Sequence, residues 1–150
     1  MIIGFTGTRK GMTPSQIAQL RIVLTVFVPD PESARGSQWD FGGFEFHHGG
    51  AVGADREAHS EASIYCGEAS VHVHPCPGVI REDGPKFTFG SKFAVWHEVF
   101  SPLVRNRHIV EACGILIAAP ETDTEQLRSG TWTTVRYARK AGKPVVMLSR

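Results

Sequence analysis

The sequence predicts an α/β fold, a mainly parallel five-stranded sheet with helices on both faces. Short, nearly continuous apolar runs alternate with helix-like segments, the pattern of strands buried on both sides by crossover helices. Glycine-bearing polar turns follow several of those runs directly, giving a strand, turn, helix order that right-handed crossovers use. The chain has 150 residues and 41% hydrophobic content, enough for one ordinary domain with a full core. Residues 1–150 are expected to form a single domain.

The first strand is the run Met1 to Thr6, which feeds the polar turn Gly7-Thr8-Arg9-Lys10-Gly11. Thr13 then caps a helix, with Pro14 at its first position and Gln16 at the capping-box position. Ile17, Leu20, Ile22, Val23 and Leu24 carry the apolar residues of that helix to its end near Phe27. Residues 29 to 43 combine Pro, Gly, Asp and Ser without periodicity and read as an exposed connection. Phe44 to His48 is the second strand, running through Gly49-Gly50-Ala51-Val52-Gly53-Ala54-Asp55 into a helix from Ala54 to Cys66. On that helix Asp55, Ala58, His59 and Ala62 share a face by their three-and-four spacing.

Ser70 to His74 is the third strand. His72, His74 and Cys76 alternate onto one face, a spacing able to hold a metal, but neither a fourth ligand nor a second shell is evident and no metal is assigned. Residues 78 to 100 form a long connection that mixes Arg81, Lys86 and Lys92 with Phe87, Phe89, Phe93 and Trp96. It reads either as a flap over a ligand or as a satellite hydrophobic cluster under a surface loop. Ser101-Pro102 opens the next helix, with Arg105-Asn106-Arg107 in its first two turns. Arg105 shares a face with Ile109 and Ala112, whereas Arg107 stands four residues before Glu111 and is expected to pair with it on the solvent side. The last unit is a strand from Gly114 to Ala119, a loop from Pro120 to Arg128, a helix from Gly130 to Ala141 and a strand from Pro144 to Leu148.

Charge and cysteine content narrow the classes of partner, with nucleic acid possible but not favoured. With 16 basic and 15 acidic residues the formal charge is +1, so no global field pulls the chain toward nucleic acid or membrane, and any anion site must be local. No stretch approaches the roughly 20 apolar residues that span a bilayer, and the N-terminus lacks a signal-peptide pattern. The expected location is the cytoplasm, where Cys66, Cys76 and Cys113 would be reduced and mostly buried.

The chemistry is concentrated in Ser129-Gly130-Thr131. The first N-H groups of a helix lack intrahelical partners, and the helix dipole adds roughly half a positive charge there. Gly130 admits a ligand to the backbone, and two hydroxyls flank it. An ordinary N-cap is the alternative use of such a stretch. In an open parallel sheet, however, ligands bind at the carboxyl edge, where four scattered segments would converge. Those segments are Gly7, Thr8, Arg9 and Lys10; Gly49, Gly50, Ala51, Gly53 and Asp55; Arg105 and Asn106; and Ser129, Gly130 and Thr131.

These same motifs resemble the SLOG superfamily, which joins the Rossmann-like domain of DprA (Smf) with the LOG phosphoribohydrolases. The likeness is nearest to DprA-like and small stand-alone YspA-type members, whose GGAxGxD pattern followed by AH is met by residues 49 to 59. The resemblance implies a Rossmann-like fold and a pocket for a nucleotide or nucleotide-derived ligand, without a separate cofactor. Two departures matter. The final Glu of the LOG signature PGGxGTxxE falls on Thr134, so no catalytic residue is assigned. The chain ends at Arg150 directly after its last strand, so the winged-helix appendage of DprA-like proteins is not expected.

Three functions compete. One is binding of a phosphate-bearing nucleotide derivative, as a sensor or sequestering protein. A second is LOG-type N-glycosidic cleavage or transfer, with Asp55 or Glu98 replacing the missing Glu. A third is single-stranded DNA binding, which the charge of +1 does little to support. Self-association is expected through the last helix, on the reading that Trp132 lies opposite Val135, Ala138 and Ala141; in the alternative reading Trp132 folds over the pocket.

Overall fold

The computed structural model describes residues 1–28, 43–77 and 93–150. Its strands are β1 (Ile2–Gly7), β2 (Glu45–His48), β3 (Val71–Val73), β4 (Val95–Trp96), β5 (Ile115–Ala119) and β6 (Val145–Met147). Its helices are α1 (Pro14–Phe27), α2 (Ala54–Cys66), α3 (Pro102–Ala112) and α4 (Gly130–Lys140). The strands form one sheet in the order β4-β3-β2-β1-β5-β6, parallel throughout. The fold is therefore α/β and Rossmann-like, with six strands among the described residues rather than five. The additional strand is β4, a two-residue edge pairing Val95 with His72 and Trp96 with Val73. Two residues are too few to leave a periodic signal, which is why Trp96 read as part of a connection. All but Gly43 of the expected connection at 29–43, and most of the expected flap, including Arg81, Lys86, Phe87, Phe89 and Lys92, lie outside the described residues.

Each face of the sheet has its own core. Ile3, Phe5, Phe46, Val71, Val73 and Ile117 point to one side, where Leu20 and Leu24 of α1 and Ala54, Ala58, Ala62 and Cys66 of α2 bury them. Leu116 and Ala118 point to the other, against Val110 of α3 and Trp132, Val135 and Ala138 of α4. The alternation along β5 is the period-two rule for a strand covered on both sides. α1 starts as its sequence dictates: Gln16 N-H donates to Thr13 Oγ1 at 3.2 Å and Thr13 N-H to Gln16 Oε1 at 3.0 Å. All three cysteines are buried and unpaired, and burial pushes the Cys66 thiol up to about 12.

Two expectations about helix faces are corrected. Trp132 is buried, at 5% exposure. Three residues before Val135, it neighbours that residue on the helix surface and packs in one cluster with Val135 and Ala138. The exposed tryptophan on which self-association was argued is thus part of the core. Arg107 lies over the ring of Tyr137, 5.5 Å from its centroid, instead of pairing with Glu111, whose carboxylate accepts from the Tyr137 hydroxyl at 3.0 Å. An aromatic from the neighbouring helix intervenes, a tertiary contact that helical spacing does not encode. No helix among the described residues is long and apolar enough to cross a membrane.

Candidate functional site

The strand order reverses between β1 and β5. β1, β2 and β3 step outward in one direction, whereas β5 and β6 lie on the other side of β1. At such a switch point the connections leave the carboxyl edge in opposite directions and open a crevice between them. Here the crevice is a cavity of about 410 Å³. Gly7, Thr8, Arg9 and Lys10 line it from the end of β1, Gly49, Ala51 and Asp55 from the β2–α2 turn, Arg105 and Asn106 from α3, and Ser129, Gly130 and Thr131 from the start of α4. Four segments that are far apart in sequence thus share one wall.

Gly50 and Gly53 do not line the cavity. Gly53 precedes α2 at φ +85°, where a Cβ would stand 2.3 Å from the Arg9 carbonyl oxygen. Its role is to let the β1 turn and the β2 turn touch. Gly50, also at positive φ, donates its N-H to His48 Nδ1 at 2.9 Å. That bond fixes the proton of His48 on Nε2, which lies 2.9 Å from His59 Nδ1. His59 then points its own Nε2 toward Glu68, 3.5 Å away. A buried relay from β2 to α2 therefore sets the glycine turn. Sequence had placed His59 on the inner face of α2 but had not connected it with His48.

Arg105 and Asp55 are the charged pair at the cavity floor, 8% and 6% exposed. Gly49 makes room for both, since a Cβ there would sit 1.5 Å from Arg105 Nη1 and 2.8 Å from Asp55 Oδ2. Arg105 Nη1 donates to the His74 carbonyl at 3.4 Å, while its buried Nε has no partner among the described residues. Asp55 Oδ2 accepts from the Ala51 N-H at 3.2 Å. Burial pushes the Asp55 carboxyl up to about 6, against the opposing pull of Arg105 and of backbone N-H groups at Ala51, Gly49 and Gly7. A carboxylic acid near neutrality beside a fixed guanidinium is suited to hydrogen-bond a ligand hydroxyl in either protonation state.

The mouth is arranged differently. Lys10 Nζ bonds Glu121, which also lines the cavity, so one rim cation is already neutralised. Ser129 is an N-cap: its hydroxyl accepts from Trp132 N-H at 3.3 Å and its carbonyl from Thr133 N-H at 2.9 Å. The N-H groups of Gly130 and Thr131 precede the first intrahelical bond and remain at the cavity wall. A Cβ at Gly130 would meet nothing within 4 Å. Ser129 thus does both things its sequence allowed, capping α4 and standing at the cavity.

Thr134 turns away. Its hydroxyl donates to the Gly130 carbonyl at 3.0 Å, and it lines a separate depression with Leu103, Arg107 and Tyr137. Glu98 is exposed and does not line the cavity. Of the two carboxylates considered as replacements for a catalytic Glu, only Asp55 faces the crevice.

Beyond the cavity, the sheet face under β2, β3 and β4 carries a second polar group of residues. His72 and His74 share that face as their alternation requires, and the register of β2 and β4 adds His47 and His97. The His47 and His72 rings stack at 4.3 Å, and those of His74 and His97 at 4.0 Å. Cys76 takes no part in either metal-capable group found among the described residues. Burial lowers the His72 imidazole to about 4 and His74 to about 3.

Comparison with known proteins places the fold. No protein-family model matches the chain, and no curated protein sequence matches it. Among solved structures it is similar to DNA processing protein A from Helicobacter pylori, described for its single-stranded DNA binding mode, with a TM-score of 0.62 and 19% identity. That match covers 98% of this chain and 64% of the other, so the chain spans somewhat less than two thirds of that neighbour. It is also similar to the molybdenum cofactor binding protein from the phototrophic bacterium Rippkaea orientalis, with a TM-score of 0.61 and 19% identity, over 97% of this chain and 74% of the other. At this identity the likeness establishes the Rossmann-like fold.

Proposed function

We propose that the protein is a SLOG-type binder of a nucleotide or nucleotide-derived ligand, with the phosphate at the start of α4 and the sugar toward Asp55 and Arg105. The observation that carries this reading is the open space before Gly130, in a cavity that the buried Arg105 also lines. A helix N-terminus alone would be accounted for by capping, but a buried guanidinium lining the same crevice favours an acceptor there. A phosphate or ribose oxygen in the crevice is such an acceptor.

The chemistry favours binding over turnover. Cleavage of an N-glycosidic bond builds positive charge on the ribose, which a fixed carboxylate stabilises and a neutral hydroxyl does not. At the position aligned with the LOG glutamate stands Thr134, with its hydroxyl engaged by Gly130 and turned to another depression. Asp55 remains as a ligand-orienting group. Incubation with ribo- and deoxyribonucleoside monophosphates, followed by chromatography of the free base, is expected to give no multiple turnovers. Turnover lost in Asp55→Asn would make Asp55 a catalytic carboxylate and replace this reading.

Single-stranded DNA binding is the second reading, favoured by the fold likeness to DNA processing protein A. Titration calorimetry separates the two. Nucleotides should bind one per chain and more tightly than their unphosphorylated nucleosides, whereas a DNA-binding surface would prefer oligonucleotides, with an affinity falling steeply with salt. Native mass spectrometry of the purified protein would name the ligand class if it co-purifies.

A further inference from the structure

The six-stranded sheet has two helices on each face among the described residues, and they do not cover it evenly. α3 and α4 bury Leu116 and Ala118 of β5, but on the same side of β2, β3 and β4 the inward positions are Glu45, His47, His72 and His74, with His97 directly after β4. Of these, His47 and His74 are buried, at positions where packing alone would select apolar residues.

Their geometry is specific. His47 Nε2 lies 2.8 Å from Glu45 Oε2, which places its proton on Nε2 and leaves Nδ1 as a lone pair directed inward. That Nδ1 stands 2.8 Å from His74 Nε2. His97 completes a group in which one ligand atom of each residue lies within 4.8 Å of the others. His47 and His74 are buried, whereas His97 is exposed, its Nε2 standing 3.0 Å from His72 Nδ1. Zinc-class ions bind imidazole nitrogen at about 2.0–2.1 Å, so tetrahedral ligand atoms stand roughly 3.3 Å apart, a spacing that small ring rotations reach. The Glu45–His47 bond is the carboxylate–histidine arrangement that orients metal-bound imidazoles.

We propose that His47, His74 and His97 form a binding site for a divalent transition metal of the zinc class, with Glu45 orienting His47 and a coordination position open to solvent. Imidazole ligands select zinc, cobalt, nickel or copper over magnesium and calcium. The site is separate from the crevice, and the two come together where Arg105 Nη1 donates to the His74 carbonyl. Glu45, His47 and His72 form a neighbouring group of three that shares His47; it is the rival position for the ion.

The test uses the tag-free full chain, titrated with Co²⁺ and followed by visible absorption, then displaced with Zn²⁺. One equivalent should saturate an intense tetrahedral-type spectrum that Zn²⁺ abolishes. His97→Ala, at an exposed position, should keep the metal-free melting temperature and lower Co²⁺ affinity at least tenfold. Glu45→Gln should lower affinity by about 10- to 100-fold, the usual effect of losing such a partner, while His72→Gln should cost far less than His97→Ala. Absence of a saturable spectrum would overturn the proposal. So would an affinity that survives His97→Ala but is lost in His72→Gln, since the ion would then sit in the rival group.

Discussion

Gly53 and Gly130 both stand at the start of a helix on the carboxyl edge of the sheet, yet their surroundings are opposite. A Cβ at Gly53 would lie 2.3 Å from the Arg9 carbonyl oxygen, on a backbone at φ +85°. A Cβ at Gly130 would meet nothing within 4 Å. At α2 the protein fills the space itself, bringing the β1 turn against the helix start. At α4 it leaves the space and the first N-H groups open. The first glycine is required by the packing of the fold, whereas the second is not. On the reading proposed above, the ligand sits at the helix start that the protein does not close.

Substitutions should separate the two. Gly53→Ala is expected to destabilise by about 4 kcal/mol, combining strain at positive φ with overpacking against backbone that cannot move aside. Urea denaturation would measure this, and a loss under 1 kcal/mol would mean that the turns are not tightly joined. The next effect comes from Asp55, buried on the closed side of the crevice. Its folded-state value of about 6 exceeds the ordinary 3.8, so between those values the folded protein holds more protons than the unfolded chain. Its stability contribution is therefore complete below about pH 4 and falls as pH rises through 6, by about 3 kcal/mol. Asp55→Asn should remove that part of the pH dependence. Identical slopes in the two proteins between pH 4 and 7 would contradict the assigned burial.

Arg105 links the closed and open sides. Arg105→Ala should weaken a phosphate-bearing ligand by about 1.5 to 3 kcal/mol, the range for a charge-assisted hydrogen bond. It should also raise the Asp55 carboxyl further, because Arg105 is the largest of the influences that pull it down. Calorimetric affinity unchanged in this variant would put the ligand elsewhere.

Much of this edge was legible in the sequence because it depends on local signals. Thr13 and Gln16 announce their capping box, and Asp55, Ala58, His59 and Ala62 show their shared face by spacing alone. Twelve of the residues chosen for the site line one cavity, since turns after parallel strands must emerge on the same edge. Non-local features stayed hidden. β4 is too short for periodicity, and His97 joins His47 and His74 only through its register. Trp132 was misplaced by reading one helix in isolation, and Arg107 found Tyr137 on a neighbouring helix. Gly49, Gly53 and Gly130 look alike as letters; only the packed neighbours reveal which of them faces open space.

Gly130→Glu tests the central claim most directly, with unfolding and nucleotide titration measured on the same preparation. The open space at Gly130 accommodates a side chain, and a carboxylate in the first helical turn complements the dipole, so stability should stay within about 1 kcal/mol of the parent or rise. Nucleotide binding should be lost, because the carboxylate lies against the anion position. A variant that folds as well as the parent and binds nucleotide with the same affinity would contradict the account, and would leave the start of α4 as a helix cap and nothing more.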